Sequence, residues 1–215
     1  MYMQKLIRDA GSPSVVSVGL IALAGLTGAA SGQEYLLSLE GGPSQIDLQS
    51  SSMTITLDVI GDIFDTQGDE YMLWGWFGLE TSGDAIVEDI QWIPADWSEF
   101  NMDTGYLGQG VHGQIEFGQW HEEGWTPQVG SAVGNRIGSF QITLAQQSVG
   151  VGEFSAGLIH GERYSLSTIN VDTGASYYST PDSLELQGFT SNLVPAPGSS
   201  ILVIGVGMAF GRRRR

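Results

Sequence analysis

The chain has 215 residues and no cysteine, and its 24 acidic residues outnumber its 8 basic ones. Six of the basic residues lie near the two ends, so residues 33–195 carry only two cations, Arg136 and Arg163, against 23 carboxylates. Nucleic acid is excluded as a partner, because phosphate binding needs basic patches. The absence of thiols excludes a cysteine nucleophile, a thiolate metal site and an iron–sulfur cluster.

Residues 1–32 have the pattern of a secretory signal peptide. Lys5 and Arg8 precede an apolar stretch at 15–26, and small residues follow it. This order of positive charge, apolar core and small residues predicts a signal helix that signal peptidase removes after Gly32 or two residues earlier. We therefore expect the protein to be exported.

Residues 33–192 are predicted to form one all-β domain. Short segments of alternating or apolar character recur at 34–40, 53–61, 71–80, 85–93, 138–145, 152–160, 163–171 and 183–189. Glycine-rich turn signals separate many of them, and no stretch shows sustained helical periodicity. About eight short antiparallel strands predict a single β-sandwich of jelly-roll or immunoglobulin-like type. The strand order also resembles that of cohesin-like secreted domains, although no motif carries this resemblance.

Four carboxylates lie close together in a predicted loop after the second strand, at Asp62, Asp65, Asp69 and Glu70. Oxygen ligands that converge can bind calcium, and a body this acidic suits divalent cations. The spacing is not that of an EF-hand, and a solvated acidic loop is the alternative interpretation. Calcium is therefore a candidate ligand of this loop and not a required cofactor.

All six tryptophans lie in the middle of the chain, between Trp74 and Trp125. Trp74 and Trp76 are two residues apart and share one face of a strand, which we expect to lie at least partly in the core. Trp97, Trp120 and Trp125 lie in a glycine-rich stretch without periodicity, and long stretches of this kind are often functional. Flat indole rings suit a sugar ring, so these three residues are the candidate ligand-binding residues. We expect at least one of them to be exposed beside a groove.

No pattern in the body predicts a catalytic residue. His121 precedes two glutamates but lacks the second histidine of a zinc-protease motif. Ser183 lacks the glycines of a nucleophile elbow. Glu88 and Asp89 would face opposite sides of a strand and could not flank one glycosidic bond. We expect a non-enzymatic protein, with a glycoside hydrolase or lyase on a β-sandwich as the enzymatic alternative.

Residues 193–215 form a C-terminal segment in three parts. Its short motif consists of Val194, Pro195, Ala196 and Pro197, and its last four residues are Arg212, Arg213, Arg214 and Arg215. The apolar run between them, at 201–211, is predicted to form a short hydrophobic helix. A membrane-spanning helix needs roughly 20 apolar residues, so this helix would give only transient membrane association.

The order of these three parts resembles the PEP-CTERM sorting signal, with Ala196 where that family usually has glutamate. The resemblance implies a Gram-negative, exported protein that an exosortase-type membrane enzyme sorts to the cell envelope or the extracellular space. The family is associated with exopolysaccharide. Together with the β-sandwich body, it implies a surface or extracellular-matrix protein with a structural or adhesive role. The alternative function is a carbohydrate-binding module that uses the loop tryptophans, with surface polysaccharide as its partner.

The two ends lead to a prediction about the mass of the mature protein. We expect it to lack residues 1–32 or so and not to be integral to the membrane, because the leader is cleavable and the tail is short. Intact-mass spectrometry of the cell-surface fraction measures this directly. A full-length chain that still carries Arg212–Arg215 would contradict processing of the tail.

Overall fold

A computed structural model describes residues 33–49, 51–64, 69–121, 125–148 and 150–195. Both predicted helices, at the signal peptide and in the C-terminal segment, lie outside these residues. The described part of the chain forms fourteen β-strands and no helix, so the all-β prediction is confirmed for it. No helix of the described residues is long and apolar enough to cross a membrane.

The strands form two sheets. Sheet A contains β1 (Glu34–Gly41), β3 (Met53–Phe64), β5 (Val87–Pro94), β9 (Arg136–Leu144) and β13 (Leu184–Gln187), in the spatial order β13–β1–β3–β9–β5. Sheet B contains β2 (Gln45–Ile46), β4 (Glu70–Gly83), β6 (Phe100–Asp103), β7 (Tyr106–Gly108), β8 (Val111–Gly118), β10 (Gly152–His160), β11 (Ser167–Asn170), β12 (Ala175–Tyr178) and β14 (Phe189–Leu193). In sheet B, β4 pairs with β8 along one edge and with β11 and then β10 along the other.

Most strand pairs are antiparallel, as predicted, but two pairs are parallel. β13 pairs with β1 and β2 pairs with β14 in the parallel sense. Both β13 and β2 are short strands at a sheet edge. The expectation of a purely antiparallel sandwich was therefore wrong at these edges, where connections from distant parts of the chain add a strand in the same direction as its neighbour.

The core lies between the two sheets, and aromatic rings form its centre. Alternation in β3 places Leu57 and Val59 fully inside, as their spacing predicts. Phe77 of sheet B meets Phe140 of sheet A at 6.2 Å between ring centres and Trp92 at 5.4 Å. Burial of such large apolar side chains is the main stabilising term of a domain without disulfides.

A β-bulge in β4 reverses which of its side chains point inward. Ser167 lies opposite Trp74 and Thr168 lies opposite Met72, so β4 has one extra residue, Leu73, between the two pairs. Met72 is fully buried before the bulge and Phe77 is fully buried after it. The period of two is thus interrupted once within a single strand.

Because of this bulge, the expectation that Trp74 and Trp76 lie at least partly in the core was wrong. Both indoles are half-buried and lie on the outer face of sheet B, outside the core between the sheets. The two rings do share one face, with centres 4.6 Å apart. The alternation that predicted a core position is valid on either side of Leu73 but does not continue through it.

The glycine-rich middle of the chain is also more regular than its sequence indicates. β6 and β7 both pair with β8, which in turn pairs with β4, so these short strands extend sheet B. Gly113 and Gly118 interrupt the apolar alternation of β8, because glycine contributes no side chain to either face. The glycine-rich stretch that contains Trp97 and Trp120 is therefore not one long irregular segment, because three strands lie within 100–118.

The buried Tyr35 of β1 leads to a prediction at high pH. Desolvation by burial raises the pKa of Tyr35 to about 12, against about 10 for an exposed tyrosine. Between these values the folded chain binds more protons than the unfolded chain, so the free energy of unfolding should fall as the pH rises from about 10 to about 12. Tyr35→Phe should reduce this slope, as measured by urea unfolding at about pH 9 and pH 11.

Tyr164 and Tyr178 also have raised pKa values, so some slope should persist in the Tyr35→Phe variant. An unchanged slope in that variant would contradict the assignment to Tyr35. The same measurement at neutral pH is the control, because all three hydroxyls are protonated there in both states.

Candidate functional site

The outer face of sheet B carries a row of adjoining aromatic rings, which we call the aromatic strip. Its members, in spatial order, are Trp120, Phe100, Trp74, Trp76, Tyr164 and Tyr178. Each ring centre lies 4.6–5.7 Å from the next. The pairs are tilted or edge-to-face, which is the favourable geometry for aromatic contacts. Trp120 begins the strip and is 60% exposed.

Strand register places these rings together. Gly118 of β8 lies opposite Phe100 of β6 on one side and opposite Trp74 of β4 on the other. A Cβ atom at Gly118 would lie 2.6 Å from a ring atom of Phe100. Because glycine leaves this space open, the Phe100 ring can lie over β8 and reach Trp74.

The segment between β10 and β11 forms a wall beside Trp76. The backbone N–H of Trp76 donates to the Tyr164 carbonyl at 3.2 Å, which ties the segment to β4. A side chain at Gly161 would collide with the backbone of Trp76, so the segment can approach this closely only with glycine there. Arg163 lies on this wall, with its guanidinium carbon 5.6 Å from the centre of the Trp76 ring.

A groove of about 450 Å³ lies between this wall and β6. Its lining residues are Trp74, Trp76, Met102, Thr104, Gln114, Glu116, Glu162 and Arg163. The indole N–H of Trp74 donates to Glu116 Oε1 at 2.9 Å, which fixes both side chains. An aromatic floor with a few polar donors and acceptors is typical of a small-molecule or saccharide site.

The two tyrosines at the end of the strip are neutral hydrogen-bonding groups. Desolvation by burial raises the pKa of Tyr164, and the neighbouring Tyr178 hydroxyl raises it further, although Arg163 lowers it. Burial also raises the pKa of Tyr178. Both hydroxyls therefore stay protonated well above neutral pH and can donate a hydrogen bond.

The structure separates the three tryptophans that the sequence grouped together. Trp97 is only 4% exposed, and its indole N–H donates to the Arg136 carbonyl at 2.8 Å. Trp97 is therefore a core residue, and the interpretation as a sugar platform was wrong because its ring has no exposed face. Trp125 is half-buried against the His121 ring at 5.1 Å. Trp120 alone of the three joins the aromatic strip.

The acidic residues of the predicted calcium loop do not converge within the described part of the chain. Glu70 is buried and accepts a hydrogen bond from Gln33 Nε2 at 3.0 Å. Asp62 Oδ1 accepts the backbone N–H of Ile63, and Asp69 is exposed. Asp65 lies outside the described residues. Among those described, no three His, Asp or Glu side chains are placed to hold one metal ion, so calcium binding stays a prediction.

No motif in the sequence indicated that Phe100, Tyr164, Tyr178 or Arg163 would belong to a site. One signal for the outer strip was present in β4. Trp74 and Trp76 each lie an odd number of positions from Phe77, so in a regular strand they lie on the face opposite to Phe77.

Comparisons with known proteins give a fold likeness and no family. No protein-family model matches the chain, and no curated protein matches it in sequence. A non-cellulosomal cohesin from the archaeon Archaeoglobus fulgidus is similar in structure, with 9% identity over 79% of this chain and 97% of that chain and a TM-score of 0.42. A cohesin module from a Clostridium perfringens family 33 glycoside hydrolase has 12% identity over 75% and 98%, with a TM-score of 0.38.

The cohesin of a type I cohesin–dockerin complex from Clostridium thermocellum is also similar in structure. It has 7% identity over 75% of this chain and 94% of that chain, with a TM-score of 0.40. At these identities and TM-scores, the likenesses concern architecture and carry no argument about what the chain binds.

The placement of the tryptophans predicts that truncating Trp97 lowers the free energy of unfolding much more than truncating Trp120 does. Trp97→Ala should lower the free energy of unfolding by about 3–5 kcal/mol, because it removes a buried indole and leaves a cavity. Trp120→Ala should change it by no more than about 0.5 kcal/mol, because most of that ring is in solvent. Urea unfolding followed by circular dichroism measures both. Equal losses in the two variants would contradict this placement.

Proposed function

We propose that this chain is an exported, non-enzymatic β-sandwich of the cell surface or extracellular matrix, with an adhesive role exercised by binding surface polysaccharide on its aromatic strip. The observation that carries the proposal is the strip itself. Its rings adjoin one another on the outer face of sheet B, and its first member, Trp120, is 60% exposed. Adjoining aromatic rings on the outer face of a sheet, one of them mostly exposed and the others half-buried, support an interaction surface there.

Polysaccharide is the partner that fits the strip best. Sugar rings have apolar C–H faces that stack on aromatic rings, and hydroxyls at their edges that need polar partners. The groove beside Trp76 supplies such partners in Thr104, Gln114 and Glu116. Because neighbouring rings already hold Phe100 and Trp74 in place, little side-chain entropy is lost on binding.

The groove carboxylates act as hydrogen-bond acceptors in this proposal. Glu116 is half-buried and already accepts a hydrogen bond from the Trp74 indole, and Glu162 is exposed. In this arrangement the two carboxylates can accept hydrogen bonds from sugar hydroxyls, which supports the proposal of binding without cleavage.

If the protein were attached to the cell envelope through its C-terminal tail, the aromatic strip would lie far from the point of attachment. β14 ends at Leu193, which pairs with Gly152 of β10. Two residues further along β10, Phe154 pairs with Gly83, the last residue of β4. Leu193 therefore lies near the Gly83 end of β4. Trp74 lies nine residues before Gly83 on the same strand, which corresponds to about 30 Å at ~3.3 Å per residue. Sorting by the PEP-CTERM-like tail and an exosortase-type enzyme, after removal of the leader by signal peptidase, would then leave the strip facing outward.

Affinity electrophoresis in gels that contain neutral or acidic polysaccharides tests the proposal. The full chain should be retarded by at least one polymer. Trp120→Ala should weaken that retardation by about tenfold or more, because exposed aromatic anchors carry much of the binding energy. Phe64→Ala is a matched control, since this ring is 44% exposed at the end of β3 in the other sheet.

We expect Phe64→Ala to bind like the unmodified chain. Equal retardation of the Trp120→Ala variant and the unmodified chain would contradict the proposal. Retardation by none of the polymers would contradict it as well.

A further inference from the structure

We infer that the groove selects acidic sugars, so that the preferred ligand is a polysaccharide that carries carboxylate groups, with Arg163 as the specificity-determining residue. This inference rests on the proposed function, because the aromatic strip would supply the general affinity for sugar rings. Arg163 would add a preference for sugars that carry a carboxylate over neutral sugars.

The first observation is the scarcity of cations in the body of the protein. Residues 33–195 contain only Arg136 and Arg163 against 23 carboxylates. Arg136 is engaged, because its Nη1 lies 3.7 Å from Asp58 Oδ1 and donates to Ser139 Oγ at 2.9 Å. Among the described residues, no carboxylate lies within 4.0 Å of the Arg163 guanidinium. Within the part of the chain that the structure describes, Arg163 is thus the arginine without a carboxylate partner, and it lines the groove.

The second observation is how Arg163 is held. Its guanidinium lies over the Trp76 ring, and the wall segment that carries it is tied to β4 through Tyr164. Cation–π contact leaves the N–H groups at the guanidinium edge free to donate. The planar fork of arginine matches a carboxylate with two parallel hydrogen bonds, which a sugar hydroxyl cannot reproduce.

The groove lies in acidic surroundings, so Arg163 could attract a carboxylate only by direct contact. Glu116 and Glu162 also line the groove, and the body as a whole is acidic. A polyanion therefore gains nothing from the long-range field of this protein, which salt screens over about 8 Å at physiological ionic strength. The preference for an acidic sugar would have to come from the contact with Arg163, and this makes the inference testable at one residue.

The test compares polymers that differ only in the carboxylate. The probes are polygalacturonate, alginate and hyaluronate, each beside its own carboxyl-reduced, neutral form, at about 0.15 M NaCl so that long-range repulsion is screened. At least one acidic polymer should bind the full chain about tenfold more tightly than its reduced form, as expected for a charge-assisted hydrogen-bond pair. Arg163→Gln should remove this difference, so that the acidic polymer and its reduced form bind the variant with equal affinity.

Two further variants sharpen the test. Arg136→Gln removes the same charge from the opposite sheet and should keep the preference for the acidic polymer. Arg163→Lys keeps the charge but loses the planar fork, and should retain only part of the preference.

Three results would overturn the inference. They are equal binding of each acidic polymer and its reduced form, a preference that survives in Arg163→Gln, and an equal loss of the preference in Arg136→Gln. The proposed function is tested separately by Trp120→Ala, which should weaken acidic and neutral polymers alike. If that variant weakens both while Arg163→Gln changes nothing, the strip binds sugars and Arg163 does not select them.

Discussion

The bulge at Leu73 reverses the inward and outward directions of β4, and the outer surface of sheet B depends on this reversal. Without the extra residue, Trp74 and Trp76 would continue the inward row that Met72 belongs to, and Phe77 would point to solvent. With it, the core keeps Phe77 and the outer face gains two adjoining indoles. One added residue thus satisfies the packing between the sheets and also places two adjoining indoles on the outer face.

The groove beside the strip depends on a second feature of β4, namely that two different strands pair with it along one edge. β11 pairs with its first part and β10 with its last part, so the chain between β10 and β11 must pass close to the middle of the strand. That passage carries Arg163 and Tyr164 onto the outer face beside Trp76. Because strands support most of these side chains, the surface proposed to bind sugars is formed without a ligand, which would lower the entropic cost of binding.

Sequence periodicity could predict the regular parts of this fold and not its irregularities. The alternation in β3 predicted the inward positions of Leu57 and Val59, because an uninterrupted strand has a strict period of two. The same rule correctly predicted that Trp74 and Trp76 share a face, but the expectation that this face lies partly in the core was wrong, since a bulge leaves no periodic signal. Trp97 shows the complementary case. It lies outside the regular strands, yet a hydrogen bond to the Arg136 carbonyl and tertiary packing bury it.

The acidic surface and the aromatic strip would affect different kinds of partner. A row of aromatic rings on an outer sheet face would ordinarily favour association between two copies of the chain. The large excess of carboxylates makes two copies repel each other at short range, whereas a sugar in the proposed groove would contact the aromatic rings and the Arg163 guanidinium directly. Specificity can therefore arise from exclusion as well as from attraction. On such a surface, a ligand is retained only where rings and hydrogen-bonding groups contact it directly, as they can in the groove between Trp76 and Met102.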